Sequence, residues 1–132
     1  MKPVLRKPTL LDYISKAYIF SMPSITMPSG AAESFGLVFV EAQALGVPVV
    51  NFFSGGIPEV VAHGQTGLLA KEGDVVGLAQ NIKLLLSDTT LHDEMSHKAE
   101  ERAAALFDLD KQNAKLENVY KAVINSSSKI IN

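Results

Sequence analysis

Val47 to Phe53 is an apolar run bounded by Gly46 on one side and Ser54-Gly55-Gly56 on the other. A strand of that kind, without a clean polar face, is buried on both sides, and such strands belong to parallel sheets covered by helices. Two shorter runs, Tyr18-Ile19-Phe20 and Leu68-Leu69-Ala70, read as further strands of the same sheet. Between the first two strands, Phe35 to Leu45 has helix length, and Gly46 stands where a C-terminal glycine cap belongs. Val38, Phe39 and Val40 favour strand, so length and Gly46 decide for helix.

The flanking segments fit the same alternation. Residues 1–8 hold two prolines and three basic side chains and read as an irregular lead-in. Thr9 can cap a helix from about Leu10 to Lys16, and Pro58 suits the first turn of a short helix through Ala62. Asp74 caps a helix whose Val75, Leu78, Ala79, Ile82, Leu85 and Leu86 form one apolar stripe. A second helix, about Thr90 to Leu106, carries Leu91, Met95, Ala99, Ala103 and Leu106 on one face. A third, about Leu109 to Asn125, groups Leu109, Leu116, Tyr120 and Val123, and residues 126–132 should form a frayed tail. The outcome is an α/β fold with a parallel sheet and helices on both faces. Three or four strands are fewer than a doubly wound domain usually has, so the chain reads as part of such a domain. One sheet edge is then left open to self-association.

Composition narrows the function. The 132 residues carry 12 Lys+Arg against 14 Asp+Glu, a net charge of −2 that argues against nucleic acid as a partner. No cysteine is present, which excludes disulfides, a thiolate nucleophile and Cys-ligated zinc. No apolar run approaches the roughly 20 residues of a membrane span, and the basic start lacks the apolar stretch of a signal peptide, so the expected compartment is the cytoplasm.

In an open α/β sheet, ligands bind beyond the carboxyl ends of the strands. Two loops occupy that position: Pro28 to Gly36, and Ser54-Gly55-Gly56-Ile57-Pro58. Each feeds a helix N-terminus, where free N–H groups favour an anion, although a plain strand-to-helix turn would have the same glycines. Glu33 lies at the mouth of the first helix, and Glu41 falls about 9 Å along it if the helix begins near Phe35. A diphosphate at the helix start would then have a carboxylate on either side to accept hydroxyl hydrogen bonds. Glu41 is the only charged residue from Phe35 to Asn51. It either binds such a ligand or turns to solvent or a lysine. Asp108-Leu109-Asp110 is better read as a helix cap than as a metal motif, and His63, His92 and His97 as surface residues. Phe52 and Phe53 are either core or a ligand platform.

Residues 28–70 resemble the signature of the group-1 (family 4) retaining glycosyltransferases of GT-B fold. The elements stand in order: Pro28-Ser29, Glu33, seven residues, Glu41-Ala42, Gly46-Val47-Pro48-Val49-Val50, Gly55-Gly56-Ile57-Pro58-Glu59 and Thr66-Gly67-Leu68-Leu69. A looser likeness runs from about Leu10 to Ile124. The resemblance implies the truncated C-terminal half of a GT-B enzyme, with a Rossmann-like, nucleotide-sugar-binding domain. Residues 9–70 would form the donor-site core and 74–125 the C-terminal helices. Glu33 would lie near the hydroxyls of the transferred sugar as the catalytic-site glutamate, positioning it rather than attacking it. Ser34 would line the donor pocket, and the N–H groups of Phe35, Gly36 and Leu37 would face the sugar and diphosphate. Glu41 would hold the ribose hydroxyls, and Gly55 and Gly56 would pack closely beside the pocket.

The donor implied is an NDP-sugar, UDP- or GDP-linked, with no cofactor and no metal. The family's acceptor domain, and the upstream Gly-Arg and basic residue that neutralise the diphosphate, find no counterpart here. The expectation is a hexosyltransferase part that binds the donor with little turnover alone. Alternatives are a non-catalytic nucleotide-sugar-binding module acting with a separate acceptor-domain chain, or a GT-B-fold epimerase or phosphorylase.

Overall fold

The computed structural model describes residues 7–30, 36–106 and 108–128. Its elements are α1 (Lys7–Ser15), α2 (Leu37–Ala44), β1 (Val49–Phe53), α3 (Ile57–Val60), β2 (Gly67–Lys71), α4 (Val75–Ser87), α5 (Thr89–Leu106) and α6 (Leu109–Ser128). β1 and β2 pair in parallel, Val49 opposite Gly67 through Phe53 opposite Lys71. Side chains alternate across the sheet and build two cores. Val49 and Leu69 join Ile14 of α1, Phe39 and Ala42 of α2, and Ile57 and Val60 of α3 on one face. Val50, Phe52, Leu68 and Ala70 meet Leu78 and Leu85 of α4 and Met95 of α5 on the other. The fold is α/β, with helices on both faces of a small parallel sheet.

Local chemistry explains most boundaries. Gly46 adopts φ +71°, the left-handed conformation in which α2 can end. There the Val47 N–H reaches back to the Ala42 carbonyl at 2.9 Å, and Ser96 Oγ of α5 donates to the Gly46 carbonyl at 2.5 Å. Asp74 caps α4 by accepting from the Gly77 N–H at 2.9 Å, and Asp88 accepts from Leu91 N–H at the start of α5.

Several expectations need correction. Tyr18-Ile19-Phe20 is not a strand: Phe20 alone makes a parallel bridge to Val49, through Phe20 N to Pro48 O (3.0 Å) and Val50 N to Phe20 O (2.9 Å). Tyr18 turns half outward instead and stacks on His92, ring centroids 3.6 Å apart. His92 is accordingly buried rather than superficial, its Nε2 held 2.7 Å from the Tyr18 carbonyl oxygen. α1 begins at Lys7, which puts Thr9 inside the first turn and not at the cap. The α4 stripe is narrower than its spacing suggests, with Leu78 and Leu85 buried and Val75 and Leu86 exposed. α6 continues to Ser128, past the expected fraying point, and exposes Leu116, Tyr120 and Val123 instead of burying them. Among the described residues, no helix is long and apolar enough to cross a membrane.

Candidate functional site

Loops that leave Phe20, β1 and β2 come together at the carboxyl end of the sheet. Glu72, the first residue beyond β2, crosses to the loop after Phe20: its carboxylate accepts from the Thr26 backbone N–H at 2.5 Å and from Thr26 Oγ1 at 2.9 Å. Ser54, the first residue beyond β1, lies beside this contact, but its buried Oγ makes no hydrogen bond of normal geometry. Sequence reading missed Glu72; a lone acid directly after a buried strand was the available signal.

The Thr26 backbone N–H, then the Thr26 hydroxyl, hold the Glu72 carboxyl below the usual carboxylate range. A lowered folded-state pKa means the contact is complete above the ordinary value of 4.5 and is lost as pH falls through the lower, folded one. We expect the Thr26 amide resonance to titrate with a midpoint below 4.5, and to stop titrating in Glu72→Gln. A midpoint at or above 4.5 would show that the two residues are not bonded in solution.

The first candidate loop leads into α2. The helix begins at Leu37, two residues later than expected, because Gly36 stays extended (φ −73°, ψ 92°) as its N-cap. Glu41 therefore stands about 6 Å from the helix start, nearer than the 9 Å expected. It is partly buried. Gly36 offers no side-chain cap; its carbonyl accepts from the Phe39 N–H at 2.9 Å and the Val40 N–H at 3.4 Å, which leaves the Leu37 and Val38 amides for another acceptor. A Cβ on Gly36 would lie 2.1 Å from Cδ2 of Phe39, a ring that is wholly buried, so glycine is required here by packing rather than by φ. Gln43, further along α2, donates Nε2 to the carbonyls of Phe39 and Val60 and so ties α2 to α3. Glu33, Ser34 and Phe35 lie outside the described residues.

The second loop is less suited to an anion than expected. Gly55 needs its glycine (φ +52°), but Gly56 sits at an ordinary φ of −82°. α3 is a single turn of four residues, too short for a substantial helix dipole. Phe52 belongs to the core, whereas Phe53 is exposed and faces His63 with ring centroids 5.4 Å apart. His63 is itself engaged, its Nδ1 accepting from the Leu69 N–H at 2.9 Å. Asp108 directly precedes α6, and Asp110 lies in its first turn.

Comparison with known proteins bears on this geometry. Residues 4–103 match the family described as "Glycosyl transferases group 1". The chain is 39% identical over 108 residues to N-acetyl-alpha-D-glucosaminyl L-malate synthase of Bacillus anthracis, covering 82% of this chain and 28% of that one. It is 39% identical over 101 residues to a GDP-mannose-dependent alpha-(1-6)-phosphatidylinositol monomannoside mannosyltransferase of Mycobacterium tuberculosis, covering 76% of this chain and 26% of that one. Among solved structures it resembles Anabaena HepE in complex with UDP (TM-score 0.74, 29% identity, 83% of this chain and 29% of that one). It also resembles sucrose-phosphate synthase of Thermosynechococcus elongatus (TM-score 0.73, 31% identity, 86% and 27%). The chain thus spans little more than a quarter of the length of these relatives.

Proposed function

The chain belongs to the group 1 glycosyl transferases, and from that premise we propose that it is the part of such an enzyme that binds the nucleotide-sugar donor, at the carboxyl end of its sheet. The observation that carries the proposal is the start of α2, where a side-chain-free cap leaves backbone N–H groups available and a glutamate follows one turn later. Uncapped amides and the positive helix end suit a diphosphate, and Glu41 suits the paired hydroxyls of a ribose. Support comes from the HepE complexes with UDP and with UDP-glucose, part of whose fold this chain shares.

In this reading the residues bind and orient. The α2 amides stabilise charge that grows on the departing diphosphate. Glu41 fixes the nucleoside, and Glu33 positions the sugar without becoming covalently attached to it. Glu72 holds the Thr26 loop against the end of β2, which keeps one wall of the site in place. No cofactor and no metal are assigned to the site. Acceptor recognition belongs to a further domain, and the isolated 132-residue chain transfers no hexose on its own.

Titration of UDP- and GDP-sugars by calorimetry tests the reading. One nucleotide series should bind, and Glu41→Ala should weaken it about tenfold, the effect of losing charge-assisted hydrogen bonds. Equal affinity in the wild type and Glu41→Ala would remove Glu41 from the site. Robust transfer from a radiolabelled donor by the isolated chain would overturn the assignment as a donor-binding part alone.

A further inference from the structure

At the opposite end of the sheet, a cavity of about 340 Å³ lies between the turn that enters β2 and the last turns of α5. Gln65, Thr66, Lys98, Glu101, Arg102 and Ala105 line it. Strand β2 starts at Gly67, so this cavity is separated from the Glu72 end by the length of the strand, roughly 16 Å for five residues. It is not an extension of the donor site.

The chemistry of the lining is specific. Lys98 and Arg102 are one helical turn apart and share one side of α5. Arg102 spends one nitrogen, Nη2, on the Glu59 carbonyl at 3.2 Å, which fixes the guanidinium against α3. Its Nε is buried and has no hydrogen-bond partner. A buried charged donor left unpaired is costly, and such groups normally find an acceptor. Glu101, the one acid of the lining, points its carboxylate to His97 at 3.2 Å. The cavity size falls within the range of small-molecule sites.

We propose that this cavity binds a small oxyanion, the phosphate or carboxylate of a metabolite, through Arg102 and Lys98. The Arg102 guanidinium offers a carboxylate or phosphate parallel N–H donors, while Lys98 supplies a second positive charge at the mouth. The site is independent of donor binding and carries no covalent step.

Amide chemical shifts of the 15N-labelled 132-residue chain test it directly. One arm uses inorganic phosphate and the other acetate, and shifts at the entry to β2 are read separately from those at the start of α2, so that phosphate at the donor loops is not mistaken for this site. Saturable shifts at Gln65, Thr66 and Lys98 are expected in at least one arm, and the arm that responds names the source. Arg102→Gln should weaken that binding about tenfold, and Lys98→Gln, at an exposed position, should weaken it less. Absence of saturable shifts at these amides in both arms, or unchanged affinity in both variants, overturns the proposal. Either result is read at Thr66 and does not depend on whether UDP binds.

Discussion

Gly67→Ala should cost about 3 kcal/mol of stability, the upper part of the range for overpacking a close-packed core. Gly67 opens β2 and is paired with Val49 in the register. A Cβ built there would come 2.1 Å from the Val49 carbonyl oxygen, 3.0 Å from its carbonyl carbon and 2.9 Å from Cγ1 of Val61. The first two are backbone atoms of the neighbouring strand, which cannot rotate away as a side chain can. Relief requires β1 and β2 to part at the point where both cores begin. Gly64→Ala is the control: Gly64 has φ +77° and open space around its Cβ position, so it should lose only the roughly 1–2 kcal/mol of left-handed strain. Urea denaturation of the wild type and both variants distinguishes collision from strain. Equal losses would mean that the strands tolerate the extra methyl.

The same glycine shows how much of the fold was open to reading from sequence. Thr66-Gly67-Leu68-Leu69 was legible as a strand entry, but the reason for glycine, a carbonyl in the adjacent strand, depends on register. Elements governed by local rules were found close to their true bounds: α2 with its Gly46 exit, α4 with its Asp74 cap, and the apolar β1. Elements decided by tertiary contacts were not. Tyr18-Ile19-Phe20 has strand composition, but a ring stack with His92, 74 residues away, holds Tyr18 off the sheet. The apolar face of α6 looked like core because its spacing is helical, although the helix only grazes α5 and leaves Leu116, Val119 and Tyr120 in solvent. For the site, Glu41 was named from the sequence pattern and stands on α2, but the Gly36 cap was not, because the helix was expected to begin at Phe35. Nor was Glu72, because its role is a contact with Thr26, 46 positions away in sequence.

Asn51→Val should raise stability by about 2 kcal/mol, the cost of the buried polar atoms it removes. Asn51 lies in the middle of β1, wholly inaccessible, and neither Nδ2 nor Oδ1 has a hydrogen-bond partner. Between Val50 and Phe52, which face α4 and α5, alternation turns its side chain to the α1–α3 face, opposite Leu69. Valine fits a strand at this point without polar atoms to satisfy. A loss of stability instead would reveal a partner for the amide in solution, such as a buried water. Asn51 also stands three residues before Ser54, whose hydroxyl is equally buried and unpaired at the end where the donor is proposed to bind. Measuring donor affinity on the same variant therefore separates two explanations for a polar residue in this core. Higher stability with unchanged affinity makes Asn51 a tolerated defect of packing. Higher stability with weakened donor binding makes it a group whose burial is sustained by function, since natural chains commonly sacrifice stability at binding sites.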